Sequence, residues 1–122
     1  MKVYWKMPDD VKAHYRQELR QYKSELANDK LQVAWRHLER AHILGQYWPV
    51  EHTQVHWMML RFGFRIKHPR EVVGQIPRLL VGGVKSFVGK VPVGNTGGAN
   101  VHPLLHMEIP ADLEAILKPY RV

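Results

Sequence analysis

Two short segments place imidazole and carboxylate side chains at helical spacing. Glu39 and His42 are three residues apart, and His52 and His56 are four apart. Residues separated by three or four positions share a face of an α-helix. Imidazole and carboxylate groups bind zinc, iron, nickel, copper or manganese, and the chain has no cysteine to supply thiolates. The spacing predicts a transition-metal site, whose candidate ligands are Glu39, His42, His52, His56 and, on the flank of the same helix, His37.

The same residues are compatible with more than one kind of site. Three histidines and one carboxylate could complete a tetrahedral zinc site, whereas two histidines and Glu39 could form a facial iron site with open positions. A di-iron bundle needs two Glu-x-x-His pairs, and the second segment offers His-x-x-x-His instead. The competing interpretation is structural, because histidines at these spacings often pack half-buried on amphipathic helices. Glu39 could then simply pair with Arg36 or Arg40.

Apolar periodicity predicts the helices that would carry these ligands. A first helix should begin after Pro8 and carry an apolar stripe over residues 11–26, and a second should carry one over residues 31–42. Asn28 and Asp29 are expected to separate these helices and to cap the second. Gly45 is expected to end the second helix as a left-handed residue.

The short connection at residues 46–50 should place the next helix antiparallel to the second. That third helix is predicted over about residues 51–62, so both ligand pairs would meet at one end of the hairpin. Gly63 is expected to loosen the third helix. A fourth should follow His68 and Pro69, and Pro77 should kink or end it. This fourth helix is expected to run through Val72, Val73, Ile76, Leu79 and Leu80.

The resulting fold class is all-α. About four helices form two antiparallel hairpins, arranged as a bundle or as tetratricopeptide-like units, although no repeat near 34 residues is evident. An irregular segment rich in glycine and proline follows at about residues 84–109, and Pro110 fits the first position of a short C-terminal helix. We expect residues 1–122 to form a single domain, since this length is typical of one.

A glycine-rich stretch is a weaker candidate for binding. Consecutive glycines with Asn and Thr can expose amide hydrogens to an anion, although a rigid structural turn is the favoured interpretation. The stretch lacks the Gly-Lys-Ser/Thr of a phosphate-binding loop. The residues concerned are Gly94, Asn95, Thr96, Gly97 and Gly98.

Composition narrows the function classes. No segment approaches the ~20 apolar residues of a membrane-spanning helix, and the N-terminal residues do not resemble a signal peptide. A cytoplasmic location is therefore expected. The only serines, Ser24 and Ser86, lie in no nucleophile motif, so we assign no catalytic residue and leave enzymatic activity open, with a non-catalytic role favoured.

The net charge of +7 raises the question of nucleic-acid binding. The densest basic segment, residues 61–70, interleaves Phe62 and Phe64 with cations. Elsewhere the basic residues are spread along the chain without a run, so nucleic acid is not the expected partner. A protein partner or a second copy of the chain is the alternative.

Several strings resemble a bacterial family of unknown function, the one numbered 3703. They are AWRHLERAHILGQ at residues 34–46, HTQVHW at 52–57, VPVGNTGG at 91–98 and MEIPADL at 107–113. The family's pattern includes the glycine-rich turn and the positions of Glu39, His37, His42, His52 and His56. The resemblance therefore implies a functional site at these residues, but it implies no particular activity.

The leading hypothesis is a small helical protein that binds a transition metal between its second and third helices. The first alternative is a helical-hairpin module for protein interaction that uses no metal. The second is a nucleic-acid-binding protein that uses residues 61–70. An enzyme based on the same metal site is compatible with the ligands, because an open coordination position can activate water or oxygen.

Overall fold

The computed structural model describes residues 6–77, 98 and 107–120, and within them the chain is helical without any strand. The first three helices are α1 (Asp9–Ala27), α2 (Leu31–Gly45) and α3 (Pro49–Arg65). A further helix, α4, is described over residues 69–77. The chain then contributes α5 (Ala111–Leu117) and a 3-10 turn (Lys118–Tyr120). The predicted all-α class is confirmed.

Helix α2 lies at the centre, in contact with α1, α3 and α5. Its apolar face packs against the stripe of α1, and each fully buried aliphatic or aromatic side chain contributes roughly 1.5–3 kcal/mol to folding. The predicted stripe of α1 is buried from Val11 to Tyr22 and partly buried at Leu26, which confirms that helix. The central core includes Val11, Tyr15, Leu19, Tyr22, Ala34, Leu38, Ala41, Leu44, Trp48, Val55 and Met59.

The turn between α1 and α2 differs from the predicted cap. Asp29 takes a left-handed conformation with φ of 58° and, with Asn28, forms the turn. The residue at the N-cap of α2 is Lys30, and no side chain there bonds to the first amides. The prediction that Asn28 or Asp29 caps α2 is therefore wrong, because the left-handed residue moves the helix start to Leu31.

The connection between α2 and α3 is shorter than predicted. Pro49 is the first residue of α3, where its missing amide hydrogen costs no helical bond. Gly45 is still helical and is followed by Gln46 in right-handed helical conformation, so the left-handed stop predicted at Gly45 is wrong. A Cβ at Gly45 would lie 3.1 Å from Tyr15 Cε1 and 3.2 Å from Glu51 Cβ. Glycine is present because three helices approach closely there.

Helix α3 continues past the predicted end to Arg65, and Gly63 lies inside it without breaking it. A Cβ at Gly63 would lie 3.0 Å from Val72 Cγ2. This glycine therefore allows α4 to pack closely against α3, and it does not loosen α3. The predicted fourth helix is present, but two of its apolar residues, Val73 and Ile76, are exposed. Leu79, Leu80 and most of the predicted irregular segment lie outside the described residues.

Helix α5 confirms the short C-terminal helix, and Leu113 and Leu117 bury its apolar side. Arg40 on α2 joins α5 to the hairpin by pairing with Asp112, and it also contacts Glu18 on α1 at 3.1 Å. The Arg40 guanidinium lowers the pKa of Asp112 below its ordinary value. Among the described residues, none of the helices combines the length and the apolar character needed to cross a bilayer.

Candidate metal centre

Three of the predicted ligands meet at the junction of α2 and α3. His42 lies in the last turn of α2, while His52 and His56 lie on consecutive turns near the start of α3. A three-residue connection reverses the chain between them, so the end of one helix faces the beginning of the other. All three side chains are buried, with 2%, 4% and 3% of their surface exposed. The predicted convergence of these histidines is observed.

The three rings point their Nε2 atoms at one another. The Nε2–Nε2 distances are 3.2 Å for His42 and His52, 3.1 Å for His42 and His56, and 3.0 Å for His52 and His56. The ring centroids are 4.7–5.0 Å apart, and the planes cross at 51–73°. The rings are therefore not stacked face to face. They surround a common point with their outer nitrogens.

Hydrogen bonding alone cannot satisfy such a triangle. The Nε2 atom of an imidazole either carries a proton and donates, or carries a lone pair and accepts. Among three mutually adjacent atoms, two must then be of the same kind, so at least one of the three contacts is donor–donor or acceptor–acceptor. A cation at the centre removes this conflict, because all three nitrogens can then direct lone pairs at it.

The triangle also has the size that a metal ion requires. An ion about 2.05 Å from each nitrogen, the usual zinc–imidazole distance, would lie about 1 Å above their plane with N–metal–N angles of about 98°. This angle falls between the octahedral and the tetrahedral value. Three ligands arranged in this way occupy one face of the ion and leave at least one coordination position for a further ligand.

The other two predicted ligands do not join the cluster. The cluster of potential ligand atoms lying within 4.8 Å of one another contains the three histidines and not Glu39. The Glu39 carboxylate lies 3.7 Å from Arg36, the ion pair that the structural interpretation anticipated, and its role as a ligand stays a prediction. His37 contacts the Glu18 carboxylate through Nδ1 at 2.8 Å, on the side that faces α1.

A polar pair on α4, missing from the sequence prediction, supports the cluster from behind. His56 Nδ1 lies 2.6 Å from Gln75 Oε1, and Gln75 Nε2 donates to a Glu71 carboxylate oxygen. Both Gln75 and Glu71 are buried. In the sequence, the i,i+4 spacing of Glu71 and Gln75 places both on one helical face and could have indicated this pair. Attention to the apolar residues Val72, Val73 and Ile76 led to its omission.

Tyr15 on α1 fixes the start of α3 beside the cluster. Its hydroxyl donates to Gln54 Oε1 at 2.7 Å and lies 3.2 Å from the carbonyl oxygen of Glu51. Burial raises the pKa of Tyr15 above its ordinary value, and the nearby charge of Glu51 adds to the effect. The hydroxyl therefore stays protonated and ties the helix that carries two of the histidines to α1.

The other candidate sites predicted from the amino-acid sequence receive less support or lie outside the described residues. Of the glycine-rich stretch only Gly98 is described, and it is buried. In the basic segment Phe62 is buried and only Phe64 is exposed, so alternating aromatics are not presented for base stacking. Phe64 and Val73 instead border an apolar groove of about 350 Å³ between α3 and α4.

The helical fold and the buried imidazole cluster define the class: a small all-α protein with a candidate metal centre. The sequence model of a family described as "Protein of unknown function (DUF3703)" matches residues 9–117, and the chain belongs to this family. The predicted resemblance is thus confirmed. No curated protein and no solved structure matches the chain.

Proposed function

We propose that this protein binds one transition-metal ion through His42, His52 and His56. The observation that carries the proposal is the triangle of buried Nε2 atoms, each within 3.2 Å of the other two. Neutral histidines packed for structural reasons alone would not bring three such atoms together, because at least one contact would be repulsive. A shared ion turns the same arrangement into a favourable one.

The ligand set favours borderline ions over hard or soft ones. Imidazole nitrogen suits zinc, iron, nickel and copper, whereas magnesium and calcium prefer oxygen and copper(I) prefers sulfur. Three neutral ligands leave the full charge of a divalent ion uncompensated in a buried position. A carboxylate or a hydroxide at the open position would stabilise the ion, and Glu39, one helical turn before His42, is the predicted carboxylate.

The role that fits these features is metal sequestration, sensing or structural stabilisation. The cluster joins the end of α2 to the start of α3, so an ion there would cross-link two helices. An open position would also permit activation of a bound water, the chemistry that a catalytic role would require. No nucleophile or second acid–base group among the described residues is assigned to such a reaction.

Metal analysis of the untagged protein tests the proposal. We expect close to one equivalent of a transition metal per chain after loading and gel filtration, measured by plasma mass spectrometry. The His42→Ala, His56→Ala double variant should lose that metal. A His14→Ala, His37→Ala variant is the matched control, because it removes two histidines outside the cluster and should retain the metal.

Two further variants distinguish loss of metal ligands from loss of the fold. His56→Gln keeps a polar side chain of similar reach, and it should weaken binding while the circular dichroism spectrum stays helical. Glu39→Gln tests the predicted carboxylate ligand separately from the histidines. Full metal content in a folded His42→Ala, His56→Ala protein would overturn the proposal, because the metal would then be held outside the cluster. A loaded wild-type protein without metal would also overturn it and would favour the interaction module.

A further inference from the structure

A buried chain of polar contacts runs from the histidine cluster into α4. His56 Nδ1 lies 2.6 Å from Gln75 Oε1, and the Gln75 amide nitrogen donates to Glu71. The same amide nitrogen lies 3.5 Å from Met59 Sδ. Gln75 is completely buried, so bulk water does not compete for these contacts. The chain joins a ligand on α3 to two residues one turn apart on α4.

The partners of the Gln75 amide fix its orientation. A carboxylate only accepts hydrogen bonds, so the NH₂ end of Gln75 must face Glu71. The Oε1 end then faces His56. The reverse orientation would set the amide oxygen against the Glu71 carboxylate, two acceptors in contact, in a buried environment where unmatched polar groups are costly.

The orientation of Gln75 in turn determines the tautomer of His56. Because Gln75 Oε1 is an acceptor, His56 Nδ1 must carry the proton that it shares. A neutral imidazole has one N–H, so Nε2 keeps its lone pair and directs it into the cluster. The opposite tautomer would place a proton where a metal ion has to bind, and it would leave Nδ1 and Gln75 Oε1 as two facing acceptors.

We propose that Gln75 and Glu71 are positioning residues that hold His56 as the Nδ1–H tautomer, with the Nε2 lone pair directed at the metal position. The metal-binding part rests on the proposed function, whereas the tautomer is a property of the metal-free protein. Carbonyl or carboxylate partners behind ligating histidines fix ring orientation and raise ligand basicity. Glu71 acts here through Gln75 rather than by touching the imidazole.

The first turn of α4 holds this pair in place. The backbone N–H of Glu71 donates to His68 Nδ1 at 3.1 Å, which satisfies one of the amides that a helix start leaves unpaired. On the other side Val72 packs into the space that Gly63 leaves open on α3. The close approach of Val72 to Gly63 brings α4 against α3, and the 2.6 Å contact between Gln75 and His56 depends on that packing.

Nitrogen NMR of the metal-free protein tests the tautomer directly. At about pH 8, above the ordinary titration range of imidazole, the ¹⁵N shifts of His56 should report protonated Nδ1 and unprotonated Nε2. Gln75→Leu removes the acceptor at similar volume and should produce a mixture of tautomers or the Nε2–H form. Gln32→Leu makes the same change at an exposed position of α2 and should leave the His56 signals unchanged.

Zinc affinity, measured by competition with a chromophoric chelator, tests the consequence. Gln75→Leu should weaken Zn²⁺ binding about 10–100-fold, the usual cost of losing a group behind a ligating histidine. Gln32→Leu should leave the affinity unchanged. The exchange variant Glu71→Gln, Gln75→Glu places a carboxylate at position 75 to accept from His56 Nδ1. The amide at position 71 can then donate to that carboxylate. It should restore the Nδ1–H tautomer and most of the affinity.

The two measurements separate this inference from the proposed function. An unchanged Nδ1–H tautomer in Gln75→Leu, or the Nε2–H tautomer in the wild type, would overturn the positioning role whatever the metal result. The opposite outcome is also informative. If the wild type does not bind zinc but the His56 tautomer changes in Gln75→Leu as expected, the metal site is overturned and the tautomer assignment is supported.

Discussion

His42, His52 and His56 all use Nε2 rather than Nδ1 at the centre of the cluster. Nε2 is the ring nitrogen farther from the backbone, so it can reach the space between two packed helices without requiring the helices to approach unusually closely. His56 Nδ1 is thereby left facing Gln75. One ring could therefore bind a central ion through Nε2 and form a supporting hydrogen bond through Nδ1.

We expect the contribution of Tyr15 to the stability of the fold to depend on pH. Burial raises its pKa, so the folded state favours the neutral phenol. The stability that this preference contributes is fully present below the ordinary pKa near 10 and is lost as the pH rises through the alkaline range. Tyr15→Phe should cost about 0.5–1.5 kcal/mol near pH 7 through the lost hydrogen bond to Gln54.

The difference between wild type and Tyr15→Phe should narrow above about pH 10, because phenylalanine has no proton to lose. Urea unfolding of both proteins at several pH values measures this. A difference that stays constant across the alkaline range would show that Tyr15 ionisation does not limit the stability of the fold.

At the scale of the elements, the junction of α2 and α3 sets the geometry of the cluster. Gly45 lies three residues after His42, in contact with Tyr15 of α1 and Glu51 of α3. Alanine normally favours a helix over glycine by about 1 kcal/mol. Here we expect Gly45→Ala to destabilise the protein by about 1–3 kcal/mol, because the added methyl must displace an aromatic ring or the first turn of α3.

The same displacement should weaken Zn²⁺ binding by about tenfold, since it moves His52 relative to His42. Leu113→Ala is the control: it should destabilise the fold by about 2–5 kcal/mol through a buried residue of α5, which carries no ligand. Among folded molecules its Zn²⁺ affinity should equal that of the wild type. A Gly45→Ala protein with normal stability would show that the junction tolerates a Cβ.

The sequence predicted the helices and the histidine convergence well, because both follow from local periodicity. The i,i+4 spacing of His52 and His56 and the short connection after Gly45 suffice to bring the rings to one end of a hairpin. The error at Gly45 concerns packing between elements. Gly45 is required by three converging helices and not by its own conformation, a distinction that no single segment encodes.

The burial pattern of α4 likewise could not be predicted from its own sequence. Its apolar residues predicted the helix, yet Glu71 and Gln75 are buried while Val73 and Ile76 are exposed. Buried polar residues are stable only where partners satisfy them, and the partner of Gln75 is His56 on another helix. The contact of α4 with His56 therefore depends on the packing of α4 against α3, which the sequence of α4 alone does not encode.

At the scale of the whole molecule, an ion in the cluster would couple metal binding to folding. The candidate ligands lie on α2 and α3, so unfolding of the chain would separate them. An ion that binds the folded state alone stabilises it by RT ln(1 + [metal]/Kd), which is about 2.7 kcal/mol at a free concentration of 100 Kd.

This coupling predicts a rise in melting temperature of about 10 °C for a chain of this size when Zn²⁺ is held near 100 Kd. Differential scanning calorimetry with and without Zn²⁺ measures the rise, and an excess of chelator should reverse it. The His42→Ala, His56→Ala variant should melt at the same temperature under both conditions, while His14→Ala, His37→Ala should respond like the wild type. An equal response in all three proteins would place the stabilising zinc outside the triangle, because the His42→Ala, His56→Ala variant lacks two of its three nitrogens.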